Sequence, residues 1–231
     1  MSKYNDLKKR AFKNNLELPK HGLTIYTFGN ASAVDRKEGV IAIKPSGVSY
    51  DELTQNDMVI VALDGDVVEG ALNPSSDTMT HLVLYRHFKN IGGIVHTHST
   101  YAVAWAQAVR SVPILGTTHA DHLHLDIPIT DFMTKEMIQG EYEVETGNQI
   151  LRVFDGLSYE EIEMVLVAGH GPFTWGATPE KAVYNSVILE ELSKMALLTE
   201  LINPRVSGLD EALVQKHYQR KHGPNAYYGQ K

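Results

Sequence analysis

Two apolar runs, 58–63 and Val67–Glu69, are separated only by Asp64-Gly65-Asp66, a turn of hairpin length with glycine at its centre. A parallel crossover needs a dozen residues or more, so a link this short forces the two strands antiparallel. Further strand-like runs fall at 23–28, 40–43, 92–98 and 164–169. Between them lie helical patterns: Leu7, Ala11, Phe12 and Leu16 up to Pro19, then Met79, Leu82, Val83 and Arg86, then Ala102, Trp105 and Ala108 after Ser99. Thr178-Pro179-Glu180 supplies a cap, a proline at the first helical position and an acid in the first turn, so a long helix is expected from there to Asn203-Pro204. A last helix is expected over 209–222, and the stretch 114–156 is expected to mix loops with short helices. The interleaving implies an α/β fold, a sheet covered by helices, and the short turns exclude a purely parallel sheet. No linker, repeat or low-complexity tract divides the 231 residues, and 43% hydrophobic content suffices for one core, so residues 1–231 read as a single domain.

The formal charge of -7 argues against a nucleic-acid partner. The most basic segment, Lys216-His217-Tyr218-Gln219-Arg220-Lys221-His222, reads as a solvated helix end that can still serve a small anion. There are no cysteines, so any metal must be held by His, Asp or Glu. The opening residues lack the apolar region of a signal peptide, and no apolar stretch approaches the ~18 residues that span a bilayer. The expectation is a cytoplasmic protein without a membrane partner.

Chemistry concentrates at Gly92-Gly93-Ile94-Val95-His96-Thr97-His98. Alternate strand side chains share a face, so His96 and His98 present two imidazoles to one point where a strand gives way to a loop. His170 follows the apolar run 164–169. A lone histidine is usually a satisfied hydrogen-bonder, but three neutral imidazoles with an open position describe a catalytic metal site. His119, His122 and His124 compete as ligands, and spacing does not rank them. Asp121 among them is a candidate general base; a polar surface loop is the plainer reading of that stretch.

Gly29-Asn30-Ala31-Ser32, Lys44-Pro45-Ser46-Gly47 and Pro74-Ser75-Ser76-Asp77 each set hydroxyl, amide or glycine backbone groups beside a strand end or helix start. Singly each is an ordinary turn; together, with Lys44, they suit a phosphate dianion. Asp77 reads both as a helix N-cap and as a carboxylate beside the metal. The tail Ala226-Tyr227-Tyr228-Gly229 either anchors by packing or brings a phenol over the site.

In order, Pro19-Lys20-His21, 29–36, 44–48, 74–78, Ile94-Val95-His96-Thr97-His98-Ser99, 116–121, Gly169-His170-Gly171-Pro172-Phe173, Lys216-His217-Tyr218, 220–223 and 226–230 span essentially the whole chain. The sequence resembles the L-ribulose-5-phosphate 4-epimerase family of the class II aldolase superfamily. The resemblance implies a three-layer α/β/α sandwich with a largely antiparallel sheet, and a homotetramer with active sites between subunits. It implies Zn2+, replaceable by Mn2+ or Co2+, held by His96, His98, His170 and Asp77. Substrate and phosphate contacts fall by resemblance on Gly29, Asn30, Lys44, Ser46, Gly47, Ser75 and Ser76, with His217 and Arg220 approaching the phosphate. Asp121 and Tyr228 match the two acid/base residues. The implied reaction is inversion at C4 of a pentulose 5-phosphate by zinc-assisted retro-aldol cleavage and re-formation of C3–C4, in arabinose or ascorbate catabolism. Small departures occur at Gly22, Phe28 and Val167-Ala168-Gly169. The alternatives are an aldolase that releases its aldehyde, in whose relatives the Asp77 position is typically glutamate, and a metal-dependent binding scaffold without turnover.

Overall fold

Side-chain alternation along the central strands decides the layering. On β1 (Asn30–Asp35), β2 (Val40–Ile43) and β3 (Val59–Ala62), Ala33, Val40, Ala42 and Ile60 pack with Leu7 and Ala11 of α1 (Asn5–Lys20). The intervening residues Val34, Ile41, Ile43, Val59 and Val61 point to the other face and join Leu82, Leu84 and Tyr85 of α2 (Thr78–His87). In this computed structural model, which describes residues 2–224 with Ala226 and Tyr227, strands β4 (Val67–Glu69), β5 (Gly93–His96), β6 (Met164–Val167) and β7 (Gly171–Gly176) complete a seven-stranded sheet. Its order is β4-β3-β2-β1-β5-β7-β6, with every neighbouring pair antiparallel.

Helices α1 and α7 (Pro179–Ile202) lie on one face, and α2 with α6 (Tyr142–Val153) on the other. The result is the three-layer α/β/α sandwich that the resemblance implied. Helix α3 (Thr100–Gln107) packs against α7 and β7, and the short α4 (Thr117–Ala120) packs against α8 (Glu211–His222). One further short helix, α5 (Lys135–Gln139), precedes α6. No helix among the described residues is long and apolar enough to cross a membrane.

Four sequence expectations need correction. The run 23–28 is loop, not strand: Leu23 is buried, but Ile25, Tyr26 and Phe28 are more than half exposed, and Tyr26 sits at φ 52°. The strand begins instead at Asn30, after Gly29 turns the chain at φ 81°, where a Cβ would lie 2.9 Å from the His96 carbonyl oxygen. Helix α1 does not stop at Pro19 but runs through it, because in the last turn the missing N–H costs one bond and the Pro19 carbonyl still accepts from Gly22. His98 lies just beyond β5 rather than within it. Strand β7 was not foreseen, since Gly171-Pro172 reads against a strand. The proline is tolerated near the strand start, with its carbonyl accepting from the Thr97 amide.

Gly93 is where β5 slips beneath the start of α7. A Cβ there would lie 2.2 Å from Pro179 Cα, a backbone clash no rotamer relieves. Gly93→Ala is expected to destabilise the fold by about 1–3 kcal/mol, read as a lowered urea midpoint at unchanged m-value.

Candidate active site

The β6–β7 hairpin carries His170 in its turn, and β7 pairs directly with β5, so His170 arrives beside the end of β5 where His96 and His98 sit. One nitrogen from each of the three rings lies within 4.8 Å of the other two, and they form the one potential metal-holding cluster among the described residues. His96 is buried, stacked on Phe173 at 4.3 Å, and its Nδ1 donates to the Pro172 carbonyl at 2.9 Å. That bond leaves the lone pair on Nε2, which stands 3.1 Å from Nε2 of His98. Burial first, then the neighbouring His96, holds His98 below its ordinary value and His170 at about 3. His170 Nδ1 is buried without a hydrogen-bond partner among the described residues. Three converging rings, His98 and His170 kept neutral by burial, His96 with its free nitrogen fixed by an outer hydrogen bond and His170 with an orphaned nitrogen, fit a divalent cation.

Asp77 opens α2 at its N-cap, yet its side chain makes no capping bond. It is turned instead toward Asn30, whose amide donates to Asp77 Oδ2 at 2.7 Å and to Ser75 Oγ at 3.0 Å. Burial pushes the Asp77 carboxyl up, but the imidazoles of His96, His81 and His170 and the Asn30 amide outweigh it, so the group sits below its usual range. The three turns read as phosphate cradles do converge. Ser46 N–H donates to the Asn73 carbonyl and Ser75 N–H to the Lys44 carbonyl, which binds the two loops to each other. With Gly29 and Asn30 they line a cavity of about 370 Å³ shared with Asp77, His98 and His170. Lys44 reaches it as a buried amine whose Nζ finds the Pro45 carbonyl at 3.3 Å and the Tyr50 ring at 4.9 Å. Desolvation pulls it down to about 8.

A buried amine beside small donors, in a cavity that His98 and His170 also line, offers groups that would suit an anionic, oxygen-rich ligand. The model of the class II aldolase and adducin N-terminal domain matches residues 10–197. The chain belongs to that family. It is 50% identical over 225 residues, 97% of this chain and 99% of the other, to the L-ribulose-5-phosphate 4-epimerase UlaF of Salmonella paratyphi C (strain RKS4594). An L-fuculose 1-phosphate aldolase superposes with a TM-score of 0.79 at 25% identity, covering 95% of this chain and 97% of that one. An L-fuculose-1-phosphate aldolase from Thermus thermophilus does so with a TM-score of 0.66 at 26% identity, covering 88% and 98%.

Among the described residues, the remaining expected residues of this class II aldolase family member lie apart from the cavity. Asp121 ends α4 and is clasped by α8: Arg220 donates to both carboxylate oxygens at 2.9 and 2.6 Å, His217 Nδ1 stands at 2.9 Å and Lys221 Nζ at 3.6 Å. Against the upward push of desolvation, those donors hold Asp121 at about 2. His119 is buried on α4, His122 lies against Tyr184, and His124 packs on Tyr218; none joins the trio. Tyr228 falls outside the described residues. Sequence reasoning missed Tyr142 and Glu143, which line the cavity from the start of α6. Nothing in the local pattern marked them, because only the packing of α6 on α2 brings them there.

Only the ammonium form of Lys44 attracts a phosphate, and its free-state value of about 8 puts deprotonation within reach of an ordinary titration. Phosphate affinity measured by calorimetry is therefore expected to weaken as pH rises through about 8, by at most about tenfold per pH unit. Lys44→Met should bind weakly throughout and lose that dependence.

Proposed function

We infer that this chain is an epimerase that interconverts L-ribulose 5-phosphate and D-xylulose 5-phosphate. The observation carrying this reading is the 50% identity, across 97% of the chain, to a protein of that activity. The three imidazoles, beside a cavity of about 370 Å³ lined by Asn30, Lys44 and the two serine turns, support it. A divalent cation held by His96, His98 and His170, with Asp77 as a further ligand, supplies Lewis-acid stabilisation of negative charge on the ketose oxygens. Zinc suits this donor set, and manganese or cobalt are possible substitutes.

The C4 proton of the substrate is β to the C2 ketone and is not acidic, so direct deprotonation there is not the route. Cleaving C3–C4 gives the enediolate of dihydroxyacetone and glycolaldehyde phosphate, and re-forming the bond to the opposite carbonyl face inverts C4. Asn30, Lys44, Ser46, Gly47, Ser75 and Ser76 retain the phosphate while the aldehyde turns, so the fragment is not lost to solvent. Asp121 and Tyr228 are the acid/base pair: one takes the C4 hydroxyl proton as the bond breaks and the other returns a proton to the C4 oxygen after the aldehyde has turned. His217 and Arg220 orient Asp121 and would approach the phosphate only in the site of a neighbouring copy.

Asp121 does not line the histidine cavity of its own chain. We therefore place it, with Tyr228, in the site of a neighbouring copy, which makes the working unit a homo-oligomer, a tetramer by family resemblance. A charged sugar phosphate does not cross membranes, which fits a cytoplasmic enzyme.

A coupled assay on L-ribulose 5-phosphate should yield D-xylulose 5-phosphate, lose the signal to a chelator and regain it with zinc. Free dihydroxyacetone as the main product would instead establish an aldolase. Asp121→Asn should lower kcat by about 100-fold or more at unchanged metal content. Refolding inactive Asp121→Asn together with inactive His96→Asn should restore part of the activity if sites form between copies, and no restoration would confine each site to one chain.

A further inference from the structure

Strand β1 loses a ladder partner beside the cavity, and helix α1 supplies the missing bonds. The register of β1 on β2 pairs Ser32 with Ile43 and Ala33 with Ala42, so the next pair outward would be Ala31 with Lys44. Val34 N–H donates to the Gly92 carbonyl at 3.1 Å, on the β5 side. Backbone groups alternate sides along a strand, so those of Ala33 and Ala31 are aimed at β2. Yet β2 ends at Ile43. The Lys44 carbonyl accepts instead from Ser75 N–H at 3.0 Å, and Pro45 meets Pro74. The two strands fork, and Asn30, Lys44, Ser46 and Ser75 line the cavity at the fork.

Ala31 is left with an N–H and a carbonyl that face no strand, in a residue with no exposed surface. Asn15 of α1 takes both. Its Oδ1 accepts from Ala31 N–H at 2.8 Å, and its Nδ2 donates to the Ala31 carbonyl at 2.8 Å. Answering a donor and an acceptor at once fixes which way round the amide sits. The second Nδ2 hydrogen goes to the Ala11 carbonyl at 2.9 Å, one turn back on the same helix. With both hydrogens committed and the side chain fully buried, Asn15 stands in for the absent strand. Without it the Ala31 groups would have to draw Lys44 back into register or take in water, and either change moves the fork.

Asn30 is one peptide away, and its amide crosses the gap to Asp77 Oδ2 at 2.7 Å and Ser75 Oγ at 3.0 Å. We propose that Asn15 is a positioning residue for the phosphate-binding cavity: by holding the Ala31 backbone in place of a strand, it keeps β1 and β2 parted and sets the Asn30 amide across the fork. Asn15 does not itself line the cavity, so its effect passes through β1. The inference deepens the epimerase reading and rests on it only for the kinetic arm of its test.

Inorganic phosphate titrated by calorimetry into the zinc-loaded full chain reads the cavity whatever the reaction. Asn15→Leu, close in volume but unable to pair, should weaken phosphate binding by about 10-fold or more while one zinc per chain stays bound. In an Asn30→Ala background the same substitution should cost less than about twofold, because the residue it acts through is gone. A merely structural role would subtract equally in both backgrounds. Asn15→Ser, too short to span both groups, runs the same cycle if the leucine variant does not fold. Hydrogen exchange on the wild type should show the Ala31 amide as protected as that of Ala33. In the coupled assay Asn15→Leu should raise KM by a factor similar to its loss of phosphate affinity, with a smaller fall in kcat. Wild-type phosphate affinity in both Asn15 variants, equal losses with and without Asn30, or a rapidly exchanging Ala31 amide would each overturn the proposal. A wild type that binds phosphate but does not epimerise would sink the epimerase reading and leave the calorimetric cycle standing.

Discussion

Where β5 ends, His96 donates through Nδ1 to the Pro172 carbonyl of the adjacent strand, and the rest of the site is arranged around that bond. It can form only because β7 runs antiparallel between β5 and β6, which sets Phe173 opposite His96 and leaves His170 in the hairpin turn beside them. The glycines at this junction are steric requirements. Gly29 lets the loop before β1 pass the His96 carbonyl, and a Cβ on Gly171 would lie 2.8 Å from the Thr97 carbonyl oxygen. Backbone pairing, not side-chain reach, therefore brings three rings from two distant segments to one point.

The electrostatics follow from burial. The chain carries a net charge of -7, yet its cavity holds a desolvated lysine, neutral imidazoles and an ionised aspartate kept low by its neighbours. Each group would suit a partner of opposite character: a dianion for Lys44, a cation for the imidazoles and Asp77. Asp121 is tuned separately, by the α8 cations, and stays an ionised carboxylate.

Much of this was legible in the sequence. The hairpin at Asp64-Gly65-Asp66 and the helix start at Thr178-Pro179-Glu180 each state a local rule that the structure obeys, and His96 and His98 do converge although only His96 lies in β5. Convergence was less visible. Ser46 and Ser75 lie in separate turns, and only the bridge between Pro45 and Pro74 places them together. The run 23–28 looked like a strand because Leu23, Ile25, Tyr26 and Phe28 are apolar, yet three of the four face solvent. Tyr142 carried no local mark, since its place in the cavity depends on the packing of α6 against α2.

The central claim is that His96, His98 and His170 grip one divalent cation, and zinc K-edge X-ray absorption on the zinc-loaded protein tests it most directly. The expected result is one zinc per chain, with the multiple-scattering signature of about three imidazole nitrogens near 2.0–2.1 Å and one or two oxygens. A shell of oxygens alone, or zinc binding that leaves no imidazole signature, would contradict it.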